Sequence, residues 1–325
     1  MTTYKGIRGV TIPTVDGDFG TIQLGDIWYN SSTKKIRVGQ TTAATWATGG
    51  VVNVARQGHT SAGTQTAGLF MGGYASGPVV TNSEEYDGSS WTEGNNLGTA
   101  KYECGGAGTQ TAALAFGGWT VGGQSPTNKD ETEQYDGTNW TEVGDLNTAR
   151  NSTRGCGTTT AALCVAGKDP SGCVSITELY NGTAWTEVGD LTTARRGLGA
   201  MGTATAGLAS GGHDPDTGKT EEYNGTAWTE VADMSESKHS FGTLGIQTAA
   251  LSIGGNTPPI TGAVEIYDGS TWSSTTNQLV DRKNNRSCGT TTAGLDFAGS
   301  EGGAEVTNCE EYTGALVEAQ TVVSS

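Results

Sequence analysis

Apolar positions in this chain come in short runs bounded by glycine and threonine, and the same run returns six times. GTQTAGLFMGG (63–73) recurs as GTQTAALAFGG (108–118), GTTTAALCVAG (157–167), GTATAGLASGG (202–212), GIQTAALSIGG (245–255) and GTTTAGLDFAG (289–299). A second, polar and aromatic segment follows each copy: EEYDGSSW (84–91), EQYDGTNW (133–140), ELYNGTAW (178–185), EEYNGTAW (221–228), EIYDGSTW (265–272) and EEYTGALV (310–317), with Val317 at the last tryptophan position. Apolar runs this short, closed by glycine and by Asp-Gly or Asn-Gly pairs, predict strands joined by tight turns. Repetition at such a period points to a repeat architecture.

The spacings separate frame from loop. Tyrosine to tryptophan is five residues in each complete copy, tryptophan to the next leucine is 23, and only leucine to tyrosine varies, between 15 and 21. Each unit reads as four strands: a glycine-rich inner strand A (such as 102–106), strand B on the TAAL segment, strand C with the tyrosine, and strand D with the tryptophan. Asp-Gly and Asn-Gly between C and D supply the positive φ angles of tight hairpins. Tyr86 and Trp91, Tyr135 and Trp140, Tyr180 and Trp185, Tyr223 and Trp228, and Tyr267 and Trp272 are placed to fill the space between neighbouring units.

Trp46 lies 23 residues before Leu69, the same interval again. The segment 43–50 is therefore expected to supply the missing strand D beside Tyr312, so that both ends of the repeat region close one unit and leave no open edge. Outside the repeats, GDIWYNSSTKKIRVG (25–39) alternates around a polar turn and reads as one hairpin. The expected division is a 1–42 extension, a 43–317 repeat domain and a 318–325 tail.

Composition agrees: 52 glycines and 34% hydrophobic residues suit strands and turns better than helices. No apolar run is long enough to span a membrane, and Lys5 and Arg8 are followed by no signal-peptide core. A net charge of −16 makes nucleic acid an unsuitable partner. Cys156 and Cys288 share one repeat position and belong far apart, whereas Cys164 and Cys173 sit across one expected hairpin, where a disulfide is conceivable. No CxxC or histidine cluster suggests zinc, and no cofactor or metal is expected.

All length variation falls in the B–C loops, 74–80, 119–130, 168–175, 213–220, 256–262 and 300–307, which emerge on one face. Tyr74, Trp119 and His213 stand at loop entrances and are the candidate contact residues, Trp119 foremost. Arg56, Lys101, Arg150, Arg195, Lys238 and Arg282 each follow a tryptophan by ten residues, and Glu84, Glu133, Glu178, Glu221, Glu265 and Glu310 each precede a tyrosine by two. The first ring is expected on the loop face, either as a mouth for anions or as half of six repeated ion pairs. A counterpart for every cation favours the pairs. His59, His213 and His239 occupy unrelated repeat positions with no carboxylate or nucleophile at telling spacing. The acidic loop 213–216 reads as a polar turn before a calcium site.

The Gly-Gly after strand B, followed by tyrosine and tryptophan, resembles the kelch repeat over roughly 46–317; two units carry Ala-Gly instead. The resemblance implies an all-β, six-bladed kelch-type β-propeller whose last blade is closed by the strand around Trp46, preceded by the hairpin extension. IRGVTIPTVDGD (7–18) and the hairpin after it are similar to N-terminal segments of bacteriophage tail-fibre proteins, and the repeats resemble kelch-like proteins of marine phages. That likeness implies a non-enzymatic virion protein of the tail or fibre, made in the host cytoplasm. It would bind other virion proteins through its N-terminal segment and a host-surface glycan or protein through the loop face. An architectural decoration or spacer protein is the alternative, with a glycan-active enzyme behind it.

Overall fold

The structure, a computed structural model, describes residues 12–122 and 125–322. They divide into two compact units, one comprising residues up to Thr45 together with Gly314 onward, the other Trp46–Thr313. No helix among the described residues is long and apolar enough to cross a membrane.

The described residues of the larger unit form six four-stranded antiparallel sheets, here I to VI in chain order, and two short two-stranded ribbons. Sheet I runs Thr60–Thr64, Ala67–Met71, Ser83–Tyr86 and Trp91–Glu93, from inside outward, and sheets II to V repeat that order. The inner strands Thr60–Thr64, Gly105–Thr109, Arg154–Thr158, Gly199–Thr203, Gly242–Ile246 and Arg286–Thr290 contact one another in that sequence, and the last contacts the first. The result is a closed, β-propeller-like ring. Inner strands begin about three residues later than expected: Tyr102 lies in the incoming connection, bridged to Trp119, and the strand starts at Gly105.

The ring closes as the Trp46 interval predicts. Sheet VI takes Thr45–Thr48 as its outer strand beside Cys309–Thr313, and the Trp46 and Tyr312 rings sit 5.0 Å apart. The five other tyrosine–tryptophan pairs repeat that spacing at 4.9–5.1 Å. Each sheet is stitched to the one before it. The indoles of Trp185, Trp228 and Trp272 donate to Thr132, Thr177 and Thr220 Oγ1 at 3.0 Å. Tyr135 OH donates to Glu85, and Gln110 Nε2 donates to the Gly68 and Tyr86 carbonyls. Gln65 makes the same bonds from sheet I to sheet VI, reaching the carbonyls of Gly294 and Tyr312.

The C–D turns work differently from the expectation. Only the glycine of each pair has positive φ, 91–93° at Gly88, Gly137, Gly182, Gly225 and Gly269. The preceding Asp or Asn acts through its side chain, as where Asp87 Oδ1 accepts from the backbone of Ser89 and Ser90.

The smaller unit holds the expected hairpin, Ile27–Asn30 against Lys35–Thr41, with the ring of buried Trp28 tilted against Phe19 at 4.8 Å. Its C-terminal partner corrects the expected tail: Val317–Thr321 pairs antiparallel with Lys35–Thr41. Val317 thus belongs to this sheet and not to the tryptophan position of the last repeat. The chain leaves the ring at Thr313, and the main chain of residues 317–321 finds its hydrogen bonds along an otherwise open edge.

One open question closes and one expectation changes. Cys164 lies buried opposite Glu178 and Cys173 opposite Lys168, in different rungs of one ladder, and both are free thiols. The cation ring is not on a face at all: the side chains of Arg56, Lys101, Arg150, Arg195, Lys238 and Arg282 are 0% exposed. Each meets the glutamate of its own sheet, from 2.5 Å in Arg56–Glu84 and Arg150–Glu178 to 3.9 Å in Lys238–Glu265. The pairs tie the strand C glutamate to the connection entering strand A.

Candidate functional site

The residue after each buried cation pairs, as an isolated bridge, with the residue after the Gly-Gly or Ala-Gly of its own sheet. The six pairs are Gln57–Tyr74, Tyr102–Trp119, Asn151–Lys168, Arg196–His213, His239–Asn256 and Lys283–Ser300. These rungs bring Tyr74, Trp119 and His213 to equivalent places at the loop end of three sheets. They add Tyr102 and Arg196, which the sequence reading missed, and His239, which it set aside. A usable signal was present, since each follows a ring cation by one residue.

One position further along, the chain turns at Gly58, Glu103, Ser152, Gly197, Ser240 and Asn284, all with φ between 50° and 61°. Backbone hydrogen bonds link these turns around the ring, from Asn284 to Ser240, Ser240 to Gly197, Gly197 to Ser152, Glu103 to Gly58 and Gly58 to Asn284. Between Glu103 and Ser152 the link is made by side chains, with Ser152 Oγ donating to the Glu103 carboxylate. Glycine at 58 has a direct cause: a Cβ there would meet the Tyr102 ring at 2.2 Å. Glu103 holds a left-handed backbone without that freedom, a conformation that clusters at functional sites.

Among the described residues, this end of the ring carries a larger and a smaller cavity. The larger, about 610 Å³, is lined by Tyr102, Trp119, Asn128, Lys168 and Asp169 and includes Glu103 and Arg196. Its aromatic side is a run of rings, Tyr74 edge-on to Tyr102 at 5.9 Å and Tyr102 edge-on to Trp119 at 5.0 Å. Asn151 Nδ2 donates to Asn128 Oδ1 at 2.6 Å and fixes the amides beside them. The smaller cavity, about 200 Å³, shares Glu103 and Arg196 and is lined by His213, His239, Ser152 and Lys283.

In the smaller cavity the ring fold gathers groups from separate repeats. His213 Nδ1 lies 2.5 Å from Asp216 Oδ1, His213 Nε2 lies 3.0 Å from Asp214, and the His213 and His239 rings are 4.5 Å apart. Arg196 Nε donates to Asp214 at 2.7 Å, which holds that carboxyl below its ordinary range. Burial, and then the neighbouring His213, keep His239 less basic than usual. His213, Asp216 and His239 each offer one ligand atom, all within 4.8 Å of one another. Two imidazoles and one carboxylate suit zinc, copper or nickel better than the calcium weighed for this loop. His59, by contrast, is fully buried against Phe70 and Phe297 and takes no part.

No family model matches the chain, and no curated protein matches it in sequence. Among solved structures, that of YjhT superimposes with a TM-score of 0.68, at 12% identity, over 84% of this chain and 100% of its own. At that identity the similarity shows the fold. The expectation that the chain is no enzyme is withdrawn on the geometry of the site, which brings His213, Asp216 and His239 together. That expectation treated the histidines as unrelated because they sit at different repeat positions, and the shared ring fold is what carries residues of different repeats to one mouth.

Proposed function

We propose that the larger unit is a six-bladed propeller of the kelch type whose loop face recognises an acidic glycan. The groove beside Trp119 carries this reading: it places the Tyr102 and Trp119 rings with the cationic side chains of Lys168 and Arg196 in one cavity of about 610 Å³. Aromatic faces cover the apolar side of a sugar ring, and lysine and arginine answer a carboxylate or sulfate. The same lining holds Glu103 and Asp169, and Arg196 is paired with Asp214, so the anionic group is answered by local contact with Lys168 and not by a net positive field. The phage-like N-terminal segment supports a setting for it: a virion component attached to other virion proteins through residues 1–42 and meeting the glycan on a host cell.

A second reading adds chemistry on the bound saccharide. The His213–Asp216 pair opens on the cavity that shares Glu103 and Arg196 with the groove. A histidine held by a carboxylate is suited to moving a proton on such a ligand. One experiment addresses both readings. Acidic and neutral oligosaccharides are presented to the full chain and to Trp119→Ala and Lys168→Ala, and bound saccharides are followed by NMR for chemical change. Selective binding of acidic saccharides, weakened at least ten-fold by either substitution, supports recognition. Turnover that His213→Ala abolishes while binding persists supports the proton-transfer reading. Equal binding by wild type and both groove variants overturns the proposal.

A further inference from the structure

Below the mouth, the ring of inner strands encloses a second kind of site. A cavity of about 60 Å³ is lined by Ser61, Gly106, Gly155, Ala200, Thr243 and Ser287, one small residue from each sheet, so it lies inside the ring. Thr60, Arg154 and Arg286 complete its wall. The last three occupy one repeat position, which in the remaining sheets is Gly105, Gly199 and Gly242. Sheets III and VI stand opposite in the cyclic order, so the two arginines line the cavity from opposite sides.

Neither arginine is satisfied by the protein. Arg154 and Arg286 are 6% and 4% exposed, and each spends Nη1 on the carbonyl of the residue before it. Arg154 Nε, Arg286 Nε and Arg286 Nη2 have no hydrogen-bond partner among the described residues. Glu103 bears on both by its charge and Asp296 on Arg286, and neither makes a hydrogen bond or ion pair with these arginines among the described residues. Glu103 accepts from Ser152; Asp296 accepts from Asn285 and Ser287 on one oxygen and from Arg282 on the other. Burial, and then the charge of Arg286, push Arg154 down to about 9. Unpartnered buried donors of like charge facing one cavity cost stability unless something negative sits between them.

We propose that Arg154 and Arg286 together hold a small inorganic oxyanion in the axial cavity. The shape and size fit: two guanidinium groups present fork-like donors to a planar or tetrahedral anion. A cavity of this volume has room for a few water-sized atoms and none for a saccharide. This site is separate from the groove at Trp119, with which it shares no lining residue.

The test uses the full chain in sodium gluconate, an anion too large for the cavity, at constant ionic strength. Inorganic phosphate is titrated calorimetrically and the thermal midpoint is recorded with and without it. Saturable binding at one site is expected, with a higher midpoint in phosphate. Arg154→Gln and Arg286→Gln should each weaken binding at least ten-fold, and in phosphate-free buffer neither should melt below wild type, because the repulsion is gone. Absence of saturable binding to wild type overturns the proposal, as does undiminished binding by the double variant. Should a variant fail to fold, the wild-type titration still decides.

Discussion

Arg150 donates to Glu178 across 2.5 Å with neither side chain exposed to solvent. The same carboxylate also accepts the backbone N–H groups of Asn147 and Thr148, so one glutamate holds the incoming connection, the cation and strand C together. Such a pair is worth little net, but half of it is costly to leave behind. Glu178→Gln is expected to cost about 3–5 kcal/mol, read from the urea midpoint. Arg150→Met combined with Glu178→Leu should recover much of that loss, because no buried charge is then left alone.

Lys238 occupies the same place in sheet V with poorer geometry, its Nζ 3.9 Å from Glu265, whose Oε1 has no hydrogen-bond partner among the described residues. Burial pushes Lys238 down to about 8 from 10.5, with Glu265 offsetting only part of the effect. The folded state therefore holds fewer protons than the unfolded chain between those values, and stability should rise with pH across that window. Lys238→Arg places donors where Arg195 meets Glu221 at 2.6 Å. A gain of about 1–2 kcal/mol at pH 7 is expected, with the alkaline rise lost. Urea titrations at pH 7 and 9.5 on both proteins check this.

His59 is buried with both ring nitrogens unpartnered among the described residues, edge-on to Phe70 at 4.3 Å and stacked on Phe297 at 5.4 Å. Burial first, and then Arg286, Arg56, Arg154 and Arg282, hold it well below 6.5. Because its folded pKa is depressed, the folded state resists protonation, and the contribution of His59 to stability falls away as pH drops through 6.5. Phe241 stands at the same repeat position in sheet V, so the fold already accepts a phenyl ring there. His59→Phe should raise stability by about 1 kcal/mol at pH 7.5 and by more at pH 5.5. A gain that is equal at both pH values would show that titration of His59 plays no part.

These cases mark what the sequence makes readable. Tyr86, Trp91 and their repeats are set by inter-sheet packing, which acts identically six times and so leaves a periodic trace. The cation–glutamate pairs left the same trace, yet periodicity could not distinguish a ring on a face from one inside the sheets; burial decides that. Trp119 was visible because a large aromatic stood out at a loop entrance. Tyr102, Arg196 and His239 were not, because their repeat position holds a different residue in every sheet and only the bridges to Trp119, His213 and Asn256 give it meaning. Arg154 and Arg286 broke a glycine pattern without announcing why. The strand 317–321 alternates only weakly between half-buried and exposed positions, so its partner, not its pattern, defines it.

Trp46 carries the closure of the ring and is the residue at which that closure is best tested. It is 8% exposed, packs on Tyr312 of sheet VI, and donates its indole N–H at 2.9 Å to the carbonyl of Thr276, in the connection leaving sheet V, so its ring ties the closing strand to both. Trp46→Ala removes the ring contact and the hydrogen bond together, and a loss of about 3–5 kcal/mol is expected. Trp46→Phe keeps a ring against Tyr312 and gives up the bond, for a loss of about 1 kcal/mol. Trp140 makes a comparable pair with Tyr135, but it is half-buried and its indole nitrogen has no partner among the described residues. Trp140→Ala is therefore expected to cost less than Trp46→Ala. Urea unfolding of the three variants orders them. If Trp46→Ala proves the mildest, the outer strand closes sheet VI through its main chain alone and the ring contact with Tyr312 is incidental.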